Sequence, residues 1–140
     1  MGSEMCIRDR IEQADLERAI SEGNHEIRQG DTVLLYTDHY RRAFGTDEWH
    51  NGPGISAGSA RWLGQQGIAA FGVETMAPGV LHVSNKEVHH ICGELGFTHY
   101  ENMLNLHLLI GRGRFRFIGL PLKIRGGTGS PVRAVAVFEQ

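Results

Sequence analysis

The stretch SNKEVHHICGELGFTHYENMLNL, residues 84–106, changes its hydrophobic period part-way, and that change points to the fold class. Ser84 with Glu87 three residues on has the form of a capping box, and Gly96 stands where a helix stop is expected. Between them Val88, Ile91, Cys92 and Leu95 recur at i, i+3, i+4 and i+7, the buried stripe of an amphipathic helix. At about 100° per residue His89 falls at the edge of that stripe beside Cys92, whereas His90 points nearly opposite, toward water. After Gly96 the chain is expected to turn back as a short extended piece that carries Glu101 into the neighbourhood of His89.

The same alternation of helix and strand runs through the chain. Residues 11–22 read as an amphipathic helix with Leu16, Ala19 and Ile20 inward, stopped by Gly23 and Asn24. Residues 33–36 form an apolar run after Gly30 and Asp31, as a buried strand does. Residues 39–53 are polar, aromatic and turn-rich, and are expected to be a mobile surface or pocket-rim loop. Ser56 caps a helix to about Gln66 with Gly67 as its stop, and residues 68–73 return as a strand. Residues 114–120 alternate, with Phe115 and Phe117 on one face and Arg116 on the other, and the apolar residues 132–138 are expected to form a central strand. Strands alternating with helices argue for an α/β domain.

Composition bounds the function. At 140 residues the chain is one domain or part of one, and 41% hydrophobic residues suffice for a core. A net charge of -2 gives no general electrostatic reason to bind nucleic acid or an anionic membrane. No apolar run reaches spanning length. Two cysteines make no disulfide framework and suit a reducing cytoplasm, the expected compartment. Cys92 reads as a small core residue. Residues 1–10, MGSEMCIRDR, lack the apolar segment of a signal peptide and are set aside as a non-native or disordered leader, leaving 11–140 as the domain. The arginines of GRGRFRF (111–117) read as a solvated strand face rather than an RNA-binding segment. The glycine-rich GGTGSP (126–131) lacks the lysine of a phosphate loop and reads as a tight turn between strands.

His89 and Glu101 are the candidate metal ligands. Imidazole and carboxylate both bind zinc, but a catalytic site takes about three protein ligands and an open position. With no compact motif such as HExxH in the chain, spacing alone favours a helix-edge histidine and a surface glutamate.

Four stretches shift that balance: GDTVLLYTD (30–38), PGISAGSARWLGQQGIAAFGVET (53–75), VHHICGELGFTHYENMLNL (88–106) and the closing PLKIRGGTGSPVRAVAVFE (121–139). In this order they resemble the C-terminal portion of the cyclase family of metal-dependent hydrolases, which includes the kynurenine formamidases (arylformamidases). The resemblance implies the swivelling β/β/α fold, a mixed sheet with flanking helices. It also implies metal ligation, by Zn or Mn, at the positions matching His89 and Glu101.

The implied activity is hydrolysis of a small-molecule amide, N-formylkynurenine to kynurenine and formate in tryptophan catabolism, by an enzyme that is a homodimer when full length. Family members carry, upstream, a His-x-Gly-Thr-His-x-Asp-x-Pro motif with the remaining ligands, closely followed by an acid/base histidine. Here His25, His39, His50 and His82 are scattered without that spacing. The chain thus resembles a fragment lacking the first motif. No catalytic acid/base is assigned to it, it is expected to be inactive alone, and it is expected to hold zinc weakly through two ligands. Aromatic or polar groups near the 38–49 segment are expected to contact substrate, and no individual substrate-binding residue is assigned. Two alternatives stand beside this: a family hydrolase acting on another amide, lactone or cyclic substrate, and a non-catalytic binding or scaffold domain.

Overall fold

The computed structural model describes residues 9–138, which separate into two compact units, one ending at Leu108 and one beginning at Leu109. Residues 1–8 of the expected leader lie outside the described residues. Asp9 and Arg10, set aside with them, belong to the fold. The Asp9 carbonyl accepts from Gly54 N at 3.2 Å, and β1 (Arg10–Ile11) pairs in parallel with β3 (Gly54–Ile55).

In the first unit α1 (Gln13–Glu22) precedes β2 (Thr32–Leu35), and α2 (His39–Ala43) leads through a 3-10 turn (Asp47–Asn51) to β3. Then come α3 (Ala57–Gln65), β4 (Ala70–Val73), α4 (Asn85–Leu95) and β5 (Thr98–Tyr100). Strands β2, β4 and β5 form a parallel sheet in that order, with Phe71 of β4 opposite Val33 and His99. Parallel pairing requires crossovers, and helices supply them.

The core lies where α1, α3 and α4 meet the sheet. Leu16, Ile55, Ala60, Leu63, Phe71, Val88 and Ile91 form one buried cluster there. Ala19, expected inward, is exposed, and of the α1 residues only Leu16 is buried. Ser56 caps α3 as expected, accepting from Ser59 N at 3.1 Å, and Gly96 closes α4 in the left-handed region at φ 75°. Ser84 does not cap α4 with its side chain. Its buried hydroxyl donates to the Ile55 carbonyl and accepts from Val80 N, tying the start of α4 to β3. Two glycines make that junction possible: a Cβ on Gly54 would sit 2.2 Å from the Gly79 carbonyl carbon, and one on Gly79 would sit 2.7 Å from the Asn85 Cα.

The second unit holds β6 (Arg116–Ile118) and β7 (Val135–Val137), an antiparallel pair. Phe115 and Phe117 are half-buried and Arg116 is exposed, as the alternation predicts. Between the strands the GGTGSP segment turns, with Gly126 at φ 70° and Ser130 Oγ accepting from Leu122 N. β7 is not central: among the described residues it pairs with β6 alone, and Val135 and Val137 stay exposed. Its apolar run carries the alternation of a one-sided strand. No helix among the described residues is long and apolar enough to cross a membrane.

Candidate metal centre

In a parallel sheet, ligands gather outside the carboxyl ends of the strands. Glu101 directly follows β5, and Glu74 directly follows β4. α4 runs beside β5, and its His89 reaches Glu101 with Nε2 3.9 Å from Oε1. The His89 ring is oriented from behind, where Nδ1 donates to the Asn85 carbonyl at 2.8 Å. That bond leaves the lone pair on Nε2, the atom that faces the carboxylate. A backbone acceptor behind a ligating imidazole is the usual way its tautomer is set.

The structure therefore brings the two sequence-derived candidates together, and adds a third residue. His99 Nε2 lies 3.3 Å from the same Glu101 Oε1, and the His89 and His99 rings meet edge to face, with centroids 4.7 Å apart. One ligand atom from each of His89, His99 and Glu101 lies within 4.8 Å of the others, a group of three among the described residues. Its signal was in the sequence. Phe97, His99 and Glu101 are spaced by two, so an extended segment puts them on one face, and Phe97 is a core residue. His90 is exposed, as the helix period predicts.

The donor set fits a divalent metal. Two imidazoles and a carboxylate are ligands for zinc and for other first-row cations. His89 and Glu101 are partly open to solvent, leaving room for water or substrate.

Residues 39–53, expected as a mobile loop, are not an open loop. They form α2 and the 3-10 turn, held by ring packing: His39 stacks on Trp49, while Tyr40 and Phe44 meet Trp49 edge-on. Glu74 anchors them, since its buried Oε2 accepts from Thr37 N at 2.7 Å, Thr37 Oγ1 at 2.8 Å and His39 N at 3.3 Å. Periodicity missed Glu74 because its donors lie 35 and 37 residues away. Cys92 is buried against the sheet, and burial pushes its thiol up to about 11, the behaviour of a core residue rather than a nucleophile.

A family model described as "Putative cyclase" matches residues 4–80, more than half of the chain. The chain belongs to the cyclase family. Among curated members it is similar to kynurenine formamidase of Bacillus cereus, 34% identical over 83 residues, spanning 59% of this chain and 39% of the relative. It is also similar to kynurenine formamidase of Salinibacter ruber, 30% identical over 90 residues, spanning 64% of this chain and 42% of the relative. The chain thus spans about two fifths of the length of these curated relatives.

Solved cyclase-family structures carry the likeness past residue 80, where His89, His99 and Glu101 lie. An isatin hydrolase bound to thioisatinate matches with a TM-score of 0.83 at 21% identity, covering 95% of this chain and 54% of its own. Isatin hydrolase A from Labrenzia aggregata matches with a TM-score of 0.81 at 26% identity, covering 94% and 55%. A protein from Bacillus stearothermophilus, described as a predicted metal-dependent hydrolase, matches with a TM-score of 0.68 at 22% identity, covering 93% and 58%. These likenesses bear out the mixed α/β fold with flanking helices.

Proposed function

We propose that this chain is part of a metal-dependent amide hydrolase of the arylformamidase type, acting on N-formylkynurenine to release formate and kynurenine in tryptophan catabolism. The observation that carries the reading is the approach of His89 Nε2 to Glu101 Oε1, with the His89 tautomer set by Asn85, in a chain similar to two kynurenine formamidases. In this reading His89 and Glu101 hold Zn or Mn. When bound, the metal supplies Lewis acidity at the substrate carbonyl and acidifies a water.

The remaining work of these residues is positional. Asn85 O holds the His89 ring so that its lone pair faces the site. The carboxylate of Glu101 adds a negative charge that favours a cation over a neutral occupant. The proton for the leaving amine is assigned to the histidine that closely follows the family's upstream motif, so no acid/base role falls on this chain. The Trp49 cluster is our assignment for the segment that meets the aromatic part of the substrate. A cytoplasmic homodimer belongs to the same proposal.

A lactam-hydrolase reading has its own support, since isatin hydrolases are among the solved structures of like fold. The formamidase is preferred because the sequence relatives at 30% identity and above are formamidases. The test uses the protein encoded by the uninterrupted reading frame, assayed with N-formylkynurenine and with isatin. Formate release that a chelator abolishes, and that His89→Ala lowers at least about 100-fold, is the expected result. Faster opening of isatin would install the lactam reading, and turnover that survives chelation would end the metal mechanism.

A further inference from the structure

We infer that His99, through Nε2, is a third protein ligand beside His89 and Glu101, so that this chain holds a divalent cation without the family's upstream motif. The inference rests on the metal-hydrolase reading and goes beyond it, since spacing and resemblance single out only His89 and Glu101.

Three observations carry it. The first is distance: two ligand atoms about 2.0–2.1 Å from a zinc at tetrahedral angles are about 3.3 Å apart. His99 Nε2 and Glu101 Oε1 are 3.3 Å apart, a fit as close as two separate residues give. The His89 Nε2 to Glu101 Oε1 separation is wider, 3.9 Å, and the three ligand atoms lie within 4.8 Å of one another.

The second is placement. His99 stands on the edge strand β5, on the face shared with Phe71, and its side chain is 17% exposed against 45% for His89. It is the least exposed of the three, so the site is built in part on a half-buried side chain of a strand.

The third is an unmet group. His99 Nδ1 is buried and has no hydrogen-bond partner among the described residues, unlike His89 Nδ1 with its backbone acceptor. No acceptor behind the ring holds a proton on Nδ1, so Nε2 is open either to donate to Glu101 Oε1 at 3.3 Å or to offer its lone pair to a cation.

The set offers two imidazoles and one carboxylate around an open side, an arrangement that suits zinc, cobalt or ferrous iron. It replaces the expectation of a two-ligand, weakly held zinc with a three-ligand site.

The test titrates the full chain, stripped by a chelator, with Co2+ and Zn2+ at neutral pH, by calorimetry and visible absorption. One ion per chain, with the intense visible bands of four-coordinate Co2+, is expected. His99→Ala should weaken binding at least about tenfold. His90→Ala, at the exposed neighbour of His89, should leave it unchanged. Should His99→Ala misfold, the unaltered chain still answers: Zn2+ should move the nitrogen resonance of His99 Nε2.

An unmoved His99 resonance, or unchanged affinity and bands in His99→Ala, overturns the inference. If His89→Ala and Glu101→Gln still abolish binding in that case, the metal centre stands and only His99 leaves it. If these two variants also bind as the unaltered chain does, the metal-hydrolase reading loses its site as well. No binding at all overturns the three-ligand claim, while the chelator assay on the longer protein decides the hydrolase reading separately.

Discussion

Glu74 and Cys92 show opposite ways of managing a buried titratable side chain. Glu74 Oε2 gathers three donors from Thr37 and His39, so its carboxylate is solvated by protein. Glu74→Ala leaves those donors unmet, and loss of a buried acceptor costs about 1–3 kcal/mol or more when it is charged. Urea unfolding should report a loss of that size, and an unchanged midpoint would mean that water replaces the carboxylate. Cys92 is kept neutral instead. Its folded thiol lies near 11 against an ordinary 9.0, so the unfolded chain loses this proton first as pH rises. The sign follows: stability is fully present below pH 9.0 and falls as pH climbs toward 11. Cys92→Ala should flatten that part of the stability profile measured by chemical unfolding; an identical slope would assign the loss to other groups.

The residues of the candidate metal centre were unequally visible for the same physical reason. His89 sits on a helix whose period is strong, and Glu101 follows from the turn back after the Gly96 stop, with family resemblance marking both as ligands. His99 needed the two-residue period of Phe97, His99 and Glu101, only three positions long and hidden behind a glycine stop. Ser84 shows the converse error, since Ser-x-x-Glu is a local pattern while the hydroxyl's acceptor, the Ile55 carbonyl, is 29 residues away.

Helix α4 is the element that carries His89, and its two ends are built by different rules. Its start is a backbone crossing in which Gly54, Gly79 and Asn85 leave no room for a Cβ. Gly54→Ala drives a methyl into backbone that cannot rotate away, so a loss of about 1–3 kcal/mol is expected from thermal melts. Gly93 lies inside the same helix, exposed, and a methyl added there would meet nothing within 4 Å. Gly93→Ala should therefore stabilise the chain by about 0.5–1 kcal/mol through helix propensity alone. Opposite signs for the two substitutions are the check; matching signs would mean that packing around α4 differs from this account. Elements of this kind were legible because α3, α4 and β4 each bury one continuous face. Residues 39–53 were not: their order comes from ring stacking on Trp49 and from Glu74, contacts that no short window contains.

The two units differ in how they spend their apolar residues. The first buries Ile55, Leu63, Phe71 and Val88 completely. In the second, Ile110, Leu120, Leu122 and Ile124 are each more than half exposed, and β6 and β7 are a lone antiparallel pair among the described residues. A two-stranded pair is marginal by itself in water, and contiguous exposed apolar surface favours association. Strand β7 looked central because its composition is that of a covered strand; composition records that a face is to be buried and is silent about what buries it. The chain should associate in a concentration-dependent manner, with light scattering after gel filtration giving a mass above 15.5 kDa at tens of micromolar. Leu120→Lys with Leu122→Lys should lower that mass while leaving the melting of the first unit in place, because neither residue belongs to its core cluster. A strictly monomeric chain at the same concentration would show that these side chains find cover within the chain in solution, and the homodimer proposal would then need a different surface.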